Sequence, residues 1–493
     1  MNTALNLAIW LPLAGAVLIA LLPSAERLAR WIALVASGLV LGLAVGLALS
    51  FDRQAPAAQP QFITHLDWIR QLGASYFVGL DGLSLPLFVL NALLVFLAVL
   101  VSWKTQQRTR AYFALLLVVE TAVAGVFSSW DLFLFFLFWE LELAPMYLLI
   151  GIWGGERREY AAMKFILYTV GGSAFMLVGI LLLYFNSPVK TFDMVAMGSQ
   201  PYVGSLAGLI WLLVFVGFAV KVPIFPLHTW LPDAHTEAPT AISVLLAGIL
   251  LKMGGYALLR VNFGLLPGAT RQFATLLAVL AVVNIVYGAL VAMRQSDLKR
   301  LIANSSISHM GYVILGASAA VAGGAAGAMA MQGAIFQMFS HGIITGLLFV
   351  MVGLVYDRAH TRQISALGGL AARMPFVAVG FVMAALASLG LPGMAGFAAE
   401  FLVFAGTFPV YGVATILAIG TIVLTAGYML WLVERVFFGP QRPEWARLPD
   451  ASRLEALTVA AFLIVIIGVG VYPRILGDIL APTAATLAAR LAS

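Results

Sequence analysis

The chain has 493 residues, 62% of them hydrophobic and only 10% charged, and its mean hydropathy is +1.02. Soluble proteins carry about 25% charged residues, so this composition excludes a soluble enzyme. The net charge of +6 sits in short loops, which is a topology signal and not nucleic-acid affinity. The lack of cysteine rules out thiolate-bound iron–sulfur clusters, c-type haem attachment and disulfides in this chain.

A spanning helix needs ~20 apolar residues, and about fourteen such stretches follow one another. The expected fold class is therefore an all-α polytopic membrane protein. The spans lie near 4–22, 30–50, 83–102, 110–128, 130–152, 160–185, 205–236, 239–262, 270–292, 300–320, 328–355, 374–408, 410–438 and 455–475. The first carries its arginines after the apolar run, the reverse of a cleaved signal peptide, and reads as a retained helix. Between the second and third, residues 51–82 contain HLDWIRQLGASYFVGLDGLS and read as a short folded cap.

Basic residues concentrate after odd-numbered spans: Arg27 and Arg30; Lys104, Arg108 and Arg110; Arg157 and Arg158; Arg294, Lys299 and Arg300; Arg358, Arg362 and Arg373; Arg435, Arg442 and Arg447. By the positive-inside rule both termini face away from the cytoplasm, in an inner membrane of the cytoplasmic or thylakoid type. Asp297, Lys299, Arg300, His360 and Arg362 read as solvated loop charges or a partner surface. Lys164 reads as a snorkelling side chain at a helix start.

Two spans are interrupted. The seventh breaks at VKVPIFP and the twelfth at SLGLPGMAGFAAEF, because proline removes a backbone donor and clashes with the preceding turn. Breaks at matching places in two halves point to an inverted-repeat transporter with its site near the midplane.

Four ionisable residues lie well inside apolar runs: Glu140, Lys221, Lys252 and Glu400. Each costs ~3 kcal/mol at a helix centre, so such residues normally face a bundle interior or a cavity and mark ion pathways. Desolvation moves lysine and glutamate toward the range where both exchange protons. His228, His235, His309 and His341 are candidate relay groups, since histidine titrates nearest neutrality. A histidine bonded to a carbonyl between helices would look the same in sequence. Glu142 lies roughly 200° around a regular helix from Glu140, so the two are not expected to face one partner. The histidines show no tight metal-ligand spacing, and no metal or cofactor site is expected.

Four long stretches carry a resemblance: LFWELELAPMYLLIGIWGG, KVPIFPLHTWLPDAHTEAPTAISVLLAGILLKMGGYALLR, SDLKRLIANSSISHMGY and YDRAHTRQISALGGLAARMP. They resemble the antiporter-like membrane subunits of respiratory complex I over roughly 60–440. Glu400, where the sister types L and N usually carry lysine, and an end without a long lateral helix look most like the subunit M type. The resemblance implies helices 1–3 with the cap in 1–109, inverted five-helix repeats in 110–262 and 263–438, and a last helix with a tail in 439–493. It implies that Glu140 pairs with Lys221, that Lys252 is the central relay, that Glu400 belongs to the exit half, and that His235, His309 and His341 lie on the connecting axis. It implies sister membrane-arm subunits as partners, with iron–sulfur clusters and quinone held in other, distant subunits of the complex. The electron donor would be NADH through FMN, or ferredoxin, because the extra Glu142 resembles the photosynthetic type.

The leading expectation is proton translocation driven by redox chemistry in other subunits. The alternatives are a subunit of a multisubunit sodium/proton antiporter or of a membrane-bound hydrogenase, which share the module, and a non-conducting scaffold.

Overall fold

The computed structural model describes residues 1–22, 26–57, 59–200, 202 and 205–493. In lipid no water is available to backbone groups, so each apolar run closes its own hydrogen bonds as a helix. The crossing helices are α1 (Asn2–Leu21), α2 (Glu26–Leu49), α3 (Ser84–Val101), α4 (Thr109–Ser128), α5 (Leu132–Trp153), α6 (Arg158–Asn186), α8 (Thr240–Phe263), α9 (Pro267–Met293), α10 (Leu298–Ala322), α11 (Gly324–Ala359), α13 (Gly412–Phe438) and α14 (Arg453–Val471). The interrupted ones are α7, in the pieces α7a (Ser205–Lys221) and α7b (Trp230–Glu237), and α12, in the pieces α12a (Pro375–Ser388) and α12b (Ala395–Thr407). The expected all-α bundle with two broken helices is therefore present. Asp233, His235 and Glu237 belong to α7b.

Two features depart from the expectation. The cap is a β-hairpin, β1 (Gln61–Ile69) antiparallel to β2 (Ala74–Leu80). Gly73, at a φ of 62°, supplies the left-handed turn that few other residues tolerate. Asp131 pins this hairpin to α5. One carboxylate oxygen accepts from the backbone of Phe133 and Leu134, and the other from Ser75. Burial pushes the Asp131 carboxyl above its ordinary range.

The C-terminal tail is the second departure. Arg474–Ala492 is a helix, α15. Gly82 sits against Ile479 and Thr483 toward its middle, and Arg271 bonds the Leu491 carbonyl at 3.3 Å near its end. Both contacts lie on the face of the even-numbered loops, so α15 runs along that face and ties the N-terminal helices to the second repeat.

The break in α7 shows how irregular backbone survives in a membrane. Trp230 Nε1 donates to the Val220 carbonyl at 3.0 Å. Asn284, fully buried on α9, accepts from the Phe225 amide at 2.8 Å and donates to the Pro223 carbonyl at 3.1 Å. The second repeat thus holds the break of the first. Asn284→Leu would orphan both groups at about 1–3 kcal/mol each. The expected outcome is less assembled complex and a lower thermal midpoint, read on native gels and by thermal-shift chromatography.

Candidate functional site

The first charged cluster depends on a kink in α5. Pro145 has no amide to give Leu141, so the helix yields between Leu141 and Leu143. Glu142, at this junction, is fully buried and forms an ion pair with Lys221. The resemblance implied Glu140 as the partner, and the structure places Glu142 there instead, the two carboxylates falling on different sides of the helix as their spacing predicts. Glu140 is only half-buried, although it lies within electrostatic reach of the same lysine. The Lys221 ammonium also stands 5.1 Å from the Trp139 ring. As the last residue of α7a, Lys221 places its charge at a helix C-terminus, where the macrodipole favours a cation.

Lys252 lies between two π-helical turns of α8, Leu246–Leu250 and Leu258–Phe263. A π-turn offsets the carbonyl ladder and often marks a functional position. Here the Ala247 carbonyl accepts from the Lys252 ammonium, which also meets His341 Nδ1 at 2.6 Å. Gly254 makes the approach to the first cluster possible. A Cβ there would come within 2.8–2.9 Å of the Val222 amide and the Lys221 Cβ.

The second half continues the line. The His341 and His309 rings lie 5.6 Å apart, and His309 Nδ1 meets Glu400 Oε1 at 3.2 Å. His309 Nε2 is 3.4 Å from Ser388 Oγ, at the end of α12a. A cavity of about 10 Å³ touches His309, Gln337, His341, Ser388 and Glu400, on the order of the 10–15 Å³ a single water needs. Lys252, His341, His309 and Glu400 are thus gathered in one file, with the Lys221–Glu142 pair behind Gly254.

Two expected relay histidines stand outside this file. His228 lies in the break of α7 against Phe225 and Tyr287. His235 is fully buried and stacked on Phe349 at 4.6 Å, and neither of its ring nitrogens is bonded among the described residues.

Lys299 is not a solvated loop charge. It is buried and donates to the Ala238 carbonyl, while its neighbour Asp297 caps α10. Lys164 does not simply snorkel, for Asp233 bridges it and Arg300, each at 2.8 Å. Sequence reasoning also missed Glu120 on α4, fully buried with neither carboxylate oxygen bonded among the described residues, and the buried Arg260–Asp81 pair at 2.7 Å. An acid inside LLLVVETAVAG was a readable signal for the former.

Chemically, the file lines up an amine, two imidazoles and a carboxylate inside an apolar bundle. A lone charge there costs ~3 kcal/mol, and breaking one partner out of a buried pair costs about 3–5 kcal/mol. Each group therefore holds its charge only while a neighbour compensates it.

The family described as NADH:quinone oxidoreductase/Mrp antiporter, TM, matches residues 129–425. The chain is 43% identical to "NAD(P)H-quinone oxidoreductase chain 4 1" of Synechococcus sp. (strain JA-3-3Ab), covering 99% of this chain and 93% of the relative. It is likewise 43% identical to "NAD(P)H-quinone oxidoreductase chain 4" of Gloeobacter violaceus, covering 97% and 91%. A chain of respiratory complex I from Thermus thermophilus superposes with a TM-score of 0.90 at 30% identity, covering 99% of this chain and 100% of that one. With Lys221 on one broken helix, Glu400 on the other and the charged file between them, this chain belongs to the NADH:quinone oxidoreductase/Mrp antiporter transmembrane family.

Proposed function

We propose that the chain is a proton-translocating membrane subunit of an NAD(P)H–quinone oxidoreductase, working beside sister membrane-arm subunits. One observation carries this reading: the buried file Lys252–His341–His309–Glu400, with the Lys221–Glu142 pair behind Gly254 at its first end. The redox groups that drive it belong to partner subunits, with NADH through FMN, or ferredoxin, as donor. In this reading both termini lie on the non-cytoplasmic side, which the basic residues in the loops after odd-numbered helices support.

The mechanism follows from charge compensation. While Glu142 is close, Lys221 keeps its proton. If the carboxylate withdraws, the ammonium loses its compensation and releases the proton toward Lys252. The same exchange at Lys252 passes it through His341 and His309 to Glu400. Moving one charge against the membrane potential costs ~2.3 kcal/mol per 100 mV, so the pair has to be opened by an external driver. His228 and His235 enter as side groups of the first half.

Lys252→Ala is expected to assemble but to lose pumping by about 10²-fold, the order a positioned proton-transfer group contributes. Fluorescence quenching in membrane vesicles, alongside quinone-reductase turnover, reads this. Unchanged pumping in an assembled variant would remove the proposed role. Comparing Glu142→Gln with Glu140→Gln tests the pairing. The first should reduce pumping and turnover more than the second, and equal or inverted effects would return the pair to Glu140. Native purification tests the assembly: co-purifying subunits with iron–sulfur spectra and quinone-reductase activity are expected. Small membrane subunits without redox groups would move the chain to the antiporter branch.

A further inference from the structure

α12a begins without a cap of its own. Met374 stands at its N-cap, makes no side-chain bond there, and is followed by Pro375, which has no amide to satisfy. The next two amides, of Phe376 and Val377, lack an acceptor within the helix, as the first turn of any helix does. One carboxylate from another part of the chain takes both. Asp450 Oδ2 accepts from Phe376 at 2.8 Å, and its Oδ1 from Val377 at 3.2 Å. A carboxylate is also the charge that the positive end of a helix favours.

Asp450 is itself anchored. It lies in the connection between α13 and α14, residues 439–452, which is tied down along the face of the odd-numbered loops. Arg358, at the end of α11, donates to the Pro449 carbonyl at 2.9 Å and to the Asp450 carbonyl at 3.1 Å. It also pairs with Glu455, at the start of α14, at 2.6 Å. Trp445 Nε1 donates to the Ala366 carbonyl at 3.2 Å. Gly369, at a φ of 64°, lets the connection pass so closely that a Cβ there would collide with the Gln441 backbone.

The far end of α12a reaches the charged file. Ser388 Oγ lies 3.4 Å from His309 Nε2. Gly390, two residues on, takes a φ of 78°, and a Cβ there would stand 2.9 Å from Glu400 Oε2. Between its ends the helix, PFVAVGFVMAALAS, is apolar apart from Ser388. Among the described residues, side-chain hydrogen bonds reach it only at Phe376, Val377 and Ser388. By contrast α12b is stapled to α11 by Ser340, whose hydroxyl donates to the Ala395 carbonyl at 3.0 Å. α12a is thus a rod of 14 residues, about 21 Å long at 1.5 Å per residue. Asp450 grips one end, and the other end touches the file.

We infer that Asp450 is a positioning residue: by holding the N-terminus of α12a it sets where Ser388 and Gly390 stand against His309 and Glu400. The inference rests on the proton-translocating reading above. A helix keeps its length because its backbone bonds run along its axis, so a slip at Asp450 reappears at the break. What the slip changes there is the approach of Ser388 to His309 and the room at Gly390 for the Glu400 carboxylate.

The test uses vesicles of the intact complex. Asp450→Ala removes the grip, and Asp450→Asn restores an acceptor, since Asn caps helices about as well as Asp. Fluorescence quenching reads proton pumping, and mass spectrometry reads backbone hydrogen exchange in segments 376–378 and 388–391. With Asp450→Ala, pumping is expected to fall severalfold and exchange to rise severalfold in both segments, the second of which contains none of the altered bonds. Asp450→Asn should bring both close to the native values. If exchange rises in 376–378 alone and pumping is unchanged, Asp450 is a local cap and the inference fails. Should Asp450→Ala not assemble, Asp450→Glu carries the test, because it keeps the charge and lengthens the arm by one methylene. It is expected to disturb both 388–391 and pumping, and native values for both would overturn the inference. Lys252→Ala separates this role from the reading it rests on. If that variant pumps normally, the proton-translocating reading is lost; if it abolishes pumping while Asp450→Ala leaves pumping unaltered, only the positioning role falls.

Discussion

A peptide group or a charge taken out of water into a bilayer has to find its partner within the protein, and this chain is built by that demand. Its helices satisfy it locally; its breaks and buried charges satisfy it across the bundle. Asn284 answers for Phe225 and Pro223, Trp230 for Val220, and Glu142 for Lys221. Because these bonds join different helices or the two pieces of α7, the places where regular structure fails are also where the bundle is cross-linked.

The same demand explains why conduction and stability are hard to separate here. The ion pair that neutralises Lys221 also locks α5 to α7a, and the hydrogen bond from Lys252 to His341 locks α8 to α11. Passing a proton means lifting one of these locks for a moment. Asp233, bridging Lys164 on α6 and Arg300 on α10, can keep the halves in register while that happens.

Much of this was readable before any coordinates. Length, hydropathy and two proline-marked breaks were enough for the bundle and its interrupted helices, because lipid leaves few structural options. The buried Lys221, Lys252 and Glu400 announced themselves by their cost in apolar runs. What misled was geometry that depends on tertiary context. The resemblance favoured Glu140 as the partner of Lys221, whereas the carboxylate that meets it is Glu142, two residues further along α5. Lys299 looked like a loop charge because its partner, the Ala238 carbonyl, lies 61 residues away. The hairpin at 61–80 hid in a segment too short to show a sheet, and α15 hid behind a hydropathy lower than that of its neighbours.

The staple at Asn284 also sets a timetable for biogenesis. Phe225 precedes Asn284 by 59 residues, so during synthesis α7 reaches the membrane two helices before its staple does. Throughout that interval the amide of Phe225 and the carbonyl of Pro223 lack their native partner. The insertion machinery therefore has to shelter the break, or hold α7 at its aqueous rim, until α9 arrives. A polypeptide cut between the repeats would leave its first fragment waiting indefinitely, so the two halves are expected to be viable only when made as one molecule.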